Sequence, residues 1–288
     1  MVGAIAAARR CEELGAEFVL GGVAWERMPI DPHPGPRPVA QIHGGTALGD
    51  SAVLAGPSTT TPEGVRFSES HVAAHLGTET VLIDITGGAA GAAAGIAAAA
   101  RTLECDLVLH VDIGGDAIAS GSEPGLASPL CDAVMLAAGM RLTPDLPQAV
   151  AILGAACDGE LRPSEVLDRV SAIAALGAWT GTWSIDAAAA DEIETAAAST
   201  GTEASLCVVR CARGETGEAV IRRGRRRVPL SPLGALAFCF DLEASAAELA
   251  LARVVKESAD LDTAREALVD LGIPTELDYE RGRAVERA

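Results

Sequence analysis

The chain has 288 residues, a formal net charge of −18 and 49% hydrophobic residues, yet only 3% aromatics. A chain this long buries a substantial α/β core. Its acidic balance excludes nonspecific binding to nucleic acid or anionic membranes, and no apolar stretch is long enough to span a bilayer. Lys256 is the only lysine among the 22 basic residues. Arginine on a strongly acidic surface fits a salt-adapted cytoplasm of archaeal type, and a GC-rich gene would give the same bias. The seven cysteines follow no repeated spacing, which reads as buried thiols in a reducing cytoplasm.

In chain order, residues 2–14 have helical composition and Gly15 is a natural stop. A strand follows over 17–23. An α/β sheet usually begins on a strand, so a strand and a Gly-rich turn are expected before Met1 in the complete gene product. Residues 24–37 carry Pro29, Pro32, Pro34 and Pro36, which enforce an extended loop that reads as a lid or a subunit contact. A short strand is predicted over 51–55, then a helix over 68–76. That helix puts His71 and His75 at i and i+4, half of a zinc site for which no third ligand is evident.

The strand over 80–85 ends beside Asp84 and runs into Thr86, Gly87 and Gly88 at the start of an Ala-rich helix. Strand, Gly-Gly turn and helix form the context a phosphate needs, because glycine lets the backbone approach and the helix start offers free N–H groups. The richest stretch is 106–132, DLVLHVDIGGDAIASGSEPGLASPLCD. Its apolar strand, 107–111, fits the interior of a parallel sheet and ends at Asp112. Gly114 and Gly115 separate that carboxylate from Asp116, Glu123 lies in the following loop, and Ser128 with Pro129 marks a helix start. Asp132 falls in the first turn of that helix, where its dipole favours negative charge. Two close carboxylates repel unless a cation or a shared proton relieves them, and Mg²⁺ is the economical answer.

Farther on, a strand is expected over 149–156, a helix over 164–176, an aromatic element at Trp179–Trp183 and a helix over 187–198. Residues 205–212 and 218–223 read as partners in a β-hairpin. On such a strand Cys207 and Cys211 would sit ~13 Å apart, too far to share one metal ion. Arg222, Arg223, Arg225, Arg226 and Arg227 form the only basic cluster. An apolar run over 233–241 and a helix over 244–256 precede a charged tail.

VLIDITGG, VDIGGDAIASGSEPGLASPLCDAVML and, earlier, FVLGGVAWERMPIDPHPGPRP together resemble the archaeal and bacterial family known as domain of unknown function 1152. The likeness covers most of residues 2–240 and is closest over 112–132. Members of that family carry a Gly-rich turn, often followed by Asp, just before the segment matching Val2-Gly3-Ala4. The resemblance implies no particular activity.

The expected fold is a Rossmann-like three-layer α/β sandwich with a mainly parallel sheet and a C-terminal β-hairpin extension. It forms one domain over 1–288, with its core in 1–200 and the extension in 201–288. The expected function is an enzyme acting on a nucleotide or other phosphorylated metabolite by Mg²⁺-assisted transfer or hydrolysis. Asp112 and Asp116 would hold the metal. Thr86, Gly87, Gly88, Gly114, Gly115 and Ser128 would admit phosphate, and Asp84 or Glu123 would serve as base. Two alternatives stay open. One is an NAD(P)-dependent oxidoreductase with Asp112 on a ribose. The other is a non-catalytic binding or assembly protein, a homo-oligomer included, that uses the Pro-rich loop and the arginine cluster.

Overall fold

The computed structural model describes residues 1–143 and 145–287. Helix α1 (Ala4–Glu13) leads into β1 (Gly21–Val23), followed by β2 (Thr46–Ala47), β3 (Ala52–Ala55), α2 (Ser68–Leu76), β4 (Thr80–Ile83) and α3 (Gly88–Thr102). The middle of the chain forms β5 (Val108–Ile113), α4 (Leu130–Leu142), β6 (Gln148–Leu153), α5 (Pro163–Ala175), β7 (Trp179–Ser184), α6 (Ala187–Thr200) and α7 (Glu203–Ala212). The last part holds β8 (Gly217–Ile221), β9 (Arg226–Leu230), β10 (Leu236–Asp241), α8 (Leu242–Ser245), α9 (Ala250–Val255), α10 (Leu261–Val269) and α11 (Glu276–Arg287).

These strands build two separate four-stranded sheets, ordered β1-β4-β3-β2 and β5-β6-β10-β7, and one β8-β9 hairpin. Only β1 with β4 and β5 with β6 run parallel, whereas the other five neighbouring pairs are antiparallel. The mainly parallel Rossmann-like sandwich is therefore incorrect, and the fold is α/β with mixed, mostly antiparallel sheets. The reason is β10. It returns from far along the chain and inserts antiparallel between β6 and β7, and an apolar run does not encode its own direction. Strand β5 lies at the other edge of this sheet and is half-buried along its whole length.

A second correction concerns 205–212, which is helix α7 and not a strand. Its buried residues Ser205, Val208, Val209 and Cys211 follow helical spacing, and the hairpin instead pairs β8 with β9. Cys207 and Cys211 are thus one helical turn apart, packed in an apolar cluster with Cys157, and all seven cysteines are free thiols. His75 faces a carboxylate rather than a metal set, with Nε2 3.6 Å from Glu192 Oε1.

Small side chains bring the helices close. Helices α3 and α4 contribute mostly alanines to the main core, where they meet Ile152, Phe240 and Leu242. The Pro-rich loop is fastened to the C-terminal helix. Glu280 of α11 accepts from the Trp25 indole N–H (2.9 Å), the Met28 N–H (3.1 Å) and the Gly35 N–H (2.9 Å). Inside the loop, Arg37 forms a buried two-bond pair with Asp31 at 2.7 and 2.8 Å. Much of the loop's hydrogen bonding is thus made within the chain. Glu280→Ala leaves three buried donors without an acceptor. It is expected to cost about 2–4 kcal/mol, measured as a lower urea midpoint at unchanged slope.

Candidate metal centre

Strands β5 and β6 are parallel and in register, with Asp112 opposite Ile152. Their carboxyl ends therefore open on the same side. Asp112 stands near the end of β5, the Gly114-Gly115 turn and Asp116 follow it, and beyond β6 come Asp158 and Glu160. Helix α4 adds Asp132 from its first turn. One oxygen from each of Asp112, Asp116 and Asp132 lies within 4.8 Å of the others, and the same holds for Asp116, Asp158 and Glu160. Both sets have the spacing to coordinate a metal ion, and Asp116 belongs to both.

Gly114 makes this convergence possible. A Cβ there would lie 2.2 Å from Cγ of Asp158, and its φ of +124° is a conformation that side chains resist. Gly115 donates its N–H to Asp112 Oδ2 at 2.9 Å, which fixes that carboxylate across the turn.

Crowding in a partly dry space raises the proton affinity of Asp112, Asp116, Asp132 and Asp158. Burial pushes Asp112 well above the ordinary carboxylate range, and the charges of Asp132 and Asp158 add to it. Asp116 is raised likewise by burial and then by Asp112. Asp132 is pushed up to about 7 by burial and by Glu276. Asp158 also rises to about 7, through burial and the neighbouring Glu160. Asp112 and Asp116 lie within hydrogen-bonding reach of each other once one is protonated.

The two sets differ in what already neutralises them. Glu160 accepts four bonds: from the Ala127 N–H (2.7 Å), the Ser128 N–H (3.0 Å), the Ser128 hydroxyl (2.5 Å) and Arg226 Nη2 (3.2 Å). A carboxylate offers about four lone-pair positions, so Glu160 is full and is a poor ligand. Asp158 keeps a free atom. Its Oδ1 accepts from the Glu160 N–H at 3.3 Å, while Oδ2 is buried without a hydrogen-bond partner. Among the described residues no lysine or arginine pairs with Asp112, Asp116 or Asp132. Arg27 is the nearby cation on the Asp132 side. It stacks 3.8 Å from the Trp25 ring centroid and pairs with Glu276 at 3.1 Å. Asp158 Oδ2 is therefore a buried acceptor without a partner, and Asp112, Asp116 and Asp132 are carboxylates without an ion-pair partner among the described residues.

The remaining candidates lie elsewhere or serve other bonds. Asp84 accepts from the Val39 N–H (2.9 Å), the Thr86 N–H (2.8 Å) and the Thr86 hydroxyl (2.6 Å). Glu123 braces its own loop, taking the Ser120 and Gly121 N–H groups at 2.8 and 2.9 Å. The Gly87-Gly88 turn is covered by residues 258–261: the Leu261 N–H donates to the Thr86 carbonyl (3.0 Å), and a Cβ on Gly88 would meet the Ser258 carbonyl at 2.8 Å. That turn is packed against its own chain. Ser128 holds Glu160 instead of capping α4. Glu276 of α11 takes the free Leu130 and Cys131 N–H groups at 3.1 and 2.9 Å.

Asp158 and Glu160 were not among the expected site residues. Their signal was the one that marked Asp112, an apolar strand followed at once by carboxylates and glycine, in AILGAACDGE.

The chain belongs to the family described as protein of unknown function (DUF1152), whose match spans residues 1–284. No curated protein and no solved structure matches it. No helix among the described residues is long and apolar enough to cross a membrane. The family match carries no organism, and the archaeal, salt-adapted cytoplasm expected from the charge gains no support from it.

Two outcomes follow from this geometry. In metal-free buffer the folded state holds protons that the unfolded chain releases near pH 4. Stability should thus fall as pH rises from about 4 through about 7, the region to which Asp132 and Asp158 are shifted. Thermal unfolding from pH 5 to 8 reads this slope, and Asp116→Asn, which removes the shared charge, should flatten it. Gly114→Ala forces both a strained φ and a clash with Asp158. A loss of about 1–3 kcal/mol is expected in chemical denaturation.

Proposed function

We propose that the chain binds one divalent cation, Mg²⁺ or Mn²⁺, through Asp112, Asp116 and Asp132, with Asp158 next to Asp116 as a further carboxylate of the centre. The cation assists transfer or hydrolysis on a small phosphorylated molecule. The observation that carries this reading is the set of buried and half-buried carboxylates around Asp116 without a paired cation of their own. Hard oxygen ligands of this kind suit Mg²⁺ and Mn²⁺ and offer nothing to a thiophilic metal. A bound ion would polarise a phosphoryl oxygen. The chain's own part is to hold the four carboxylates in place: Gly115 fixes Asp112, Gly114 admits Asp158, and α4 presents Asp132.

Binding should also displace protons, because carboxyl groups held near 7 must ionise to become ligands. Isothermal titration calorimetry with Mn²⁺ at pH 7, in two buffers of different ionisation enthalpy, tests the reading. One ion per chain with net proton release is expected, and Asp116→Asn should weaken binding at least tenfold. A wild-type chain that neither binds Mn²⁺ nor gains thermal stability from it would refute the proposal.

A further inference from the structure

The only basic run in this acidic chain lies on the β8-β9 hairpin, and its last two arginines point opposite ways. Arg226 turns inward. Its Nη1 donates to the Gly125 and Gly159 carbonyls at 2.8 and 3.1 Å, and Nη2 reaches Glu160 at 3.2 Å. Arg227, on the other face of β9, has a side chain 71% exposed and pairs with Glu218. Across from it stands Arg162, 74% exposed and paired with Glu165 at the start of α5.

Between these two arginines is a cavity of about 300 Å³, walled by Gly125, Gly159, Leu161 and Pro229 and by the carboxylates Glu160 and Glu165. Glu160 is the shared wall. One face of it lines the cavity, and its carboxylate lies within 4.8 Å of Asp116 and Asp158 oxygens. The cavity thus abuts the carboxylate centre and carries two guanidinium groups on its rim.

We propose that this cavity receives the phosphate group of a small phosphorylated molecule, with Arg162 and Arg227 as its binding residues; this rests on the metal reading above. Three physical points carry it. In a chain of net charge −18 an anion is least repelled where arginines stand close together, and here two guanidinium groups offset the two carboxylates of the wall. Guanidinium groups present forked donors that match phosphate oxygens. Arg162 and Arg227 are themselves exposed, although Glu165 is only 13% exposed, so water reaches both guanidinium groups and each can turn toward an incoming dianion at modest cost. A volume near 300 Å³ sits at the lower end of small-molecule sites, room for a phosphate with a compact organic group.

The test titrates inorganic phosphate into the full chain by calorimetry, with and without Mg²⁺, alongside a separate Mg²⁺ titration. The double variant Arg162→Ala plus Arg227→Ala changes only exposed side chains and should keep its fold. Phosphate binding should weaken at least tenfold in this variant, the Mg²⁺ titration should be unchanged, and Arg227→Lys should recover part of the loss. Phosphate binding that is absent from wild type, or equal in wild type and double variant, overturns the cavity assignment. So does an equal loss in Arg210→Ala plus Arg213→Ala, since those arginines lie away from the cavity and would report net charge alone. Failure of the Mg²⁺ titration, with arginine-dependent phosphate binding intact, overturns the metal reading and leaves the anion site standing.

Discussion

Like charges forced together set the terms for this structure. Two carboxylates 4.8 Å apart repel by about 3–4 kcal/mol at an effective dielectric near 20, and several such pairs meet at Asp116. The whole stability of a domain is only about 5–15 kcal/mol. The centre cannot be fully ionised and uncompensated in a folded chain. Protons or a cation must sit among these oxygens, and the surrounding residues decide where each is needed. Arg226 settles the Glu160 side and Glu276 with Arg27 occupies the start of α4, so the demand is left on Asp112, Asp116, Asp132 and Asp158.

The parts that meet this demand come from distant stretches. The carboxylates arrive on two neighbouring parallel strand ends and one helix, the balancing guanidinium on a hairpin some seventy residues later in the chain, and the cap of α4 from the C-terminal helix. Helix α11 ties the Pro-rich loop to the same neighbourhood through Glu280. Non-local assembly of this kind makes the site a product of the complete fold, with no single segment sufficient for it.

The pattern of the sequence exposes part of this. An apolar strand ending in a carboxylate, a Gly-Gly turn and a second carboxylate identified Asp112 and Asp116 as neighbours, because so short a turn leaves them nowhere else to go. Asp158 and Glu160 stayed hidden. Nothing local says that β6 lies beside β5 in register, although the same strand-then-acid pattern stood there to be read. The sheets were mistaken for a parallel set because β10 is apolar in either direction, and only its partners β6 and β7 reveal which way it runs. The segment 205–212 misled for a different reason. Valines and cysteines favour strands by composition, but here their burial follows a helical turn. The Gly87-Gly88 turn has the right local chemistry for an anion, and only the complete fold reveals that Ser258–Leu261 pack against it.

The alternation along β9 has a wider meaning. Arg226, Val228 and Leu230 share the inner face, and Arg227 and Pro229 the outer one. Sliding this strand by a single residue would expel both aliphatic side chains into water and, in the same movement, carry Arg226 away from Glu160. Oil and charge therefore vote for one alignment. Mutational drift in the hairpin is policed twice over, since a change that loosens its apolar seam also unbalances the acid cluster it helps to neutralise.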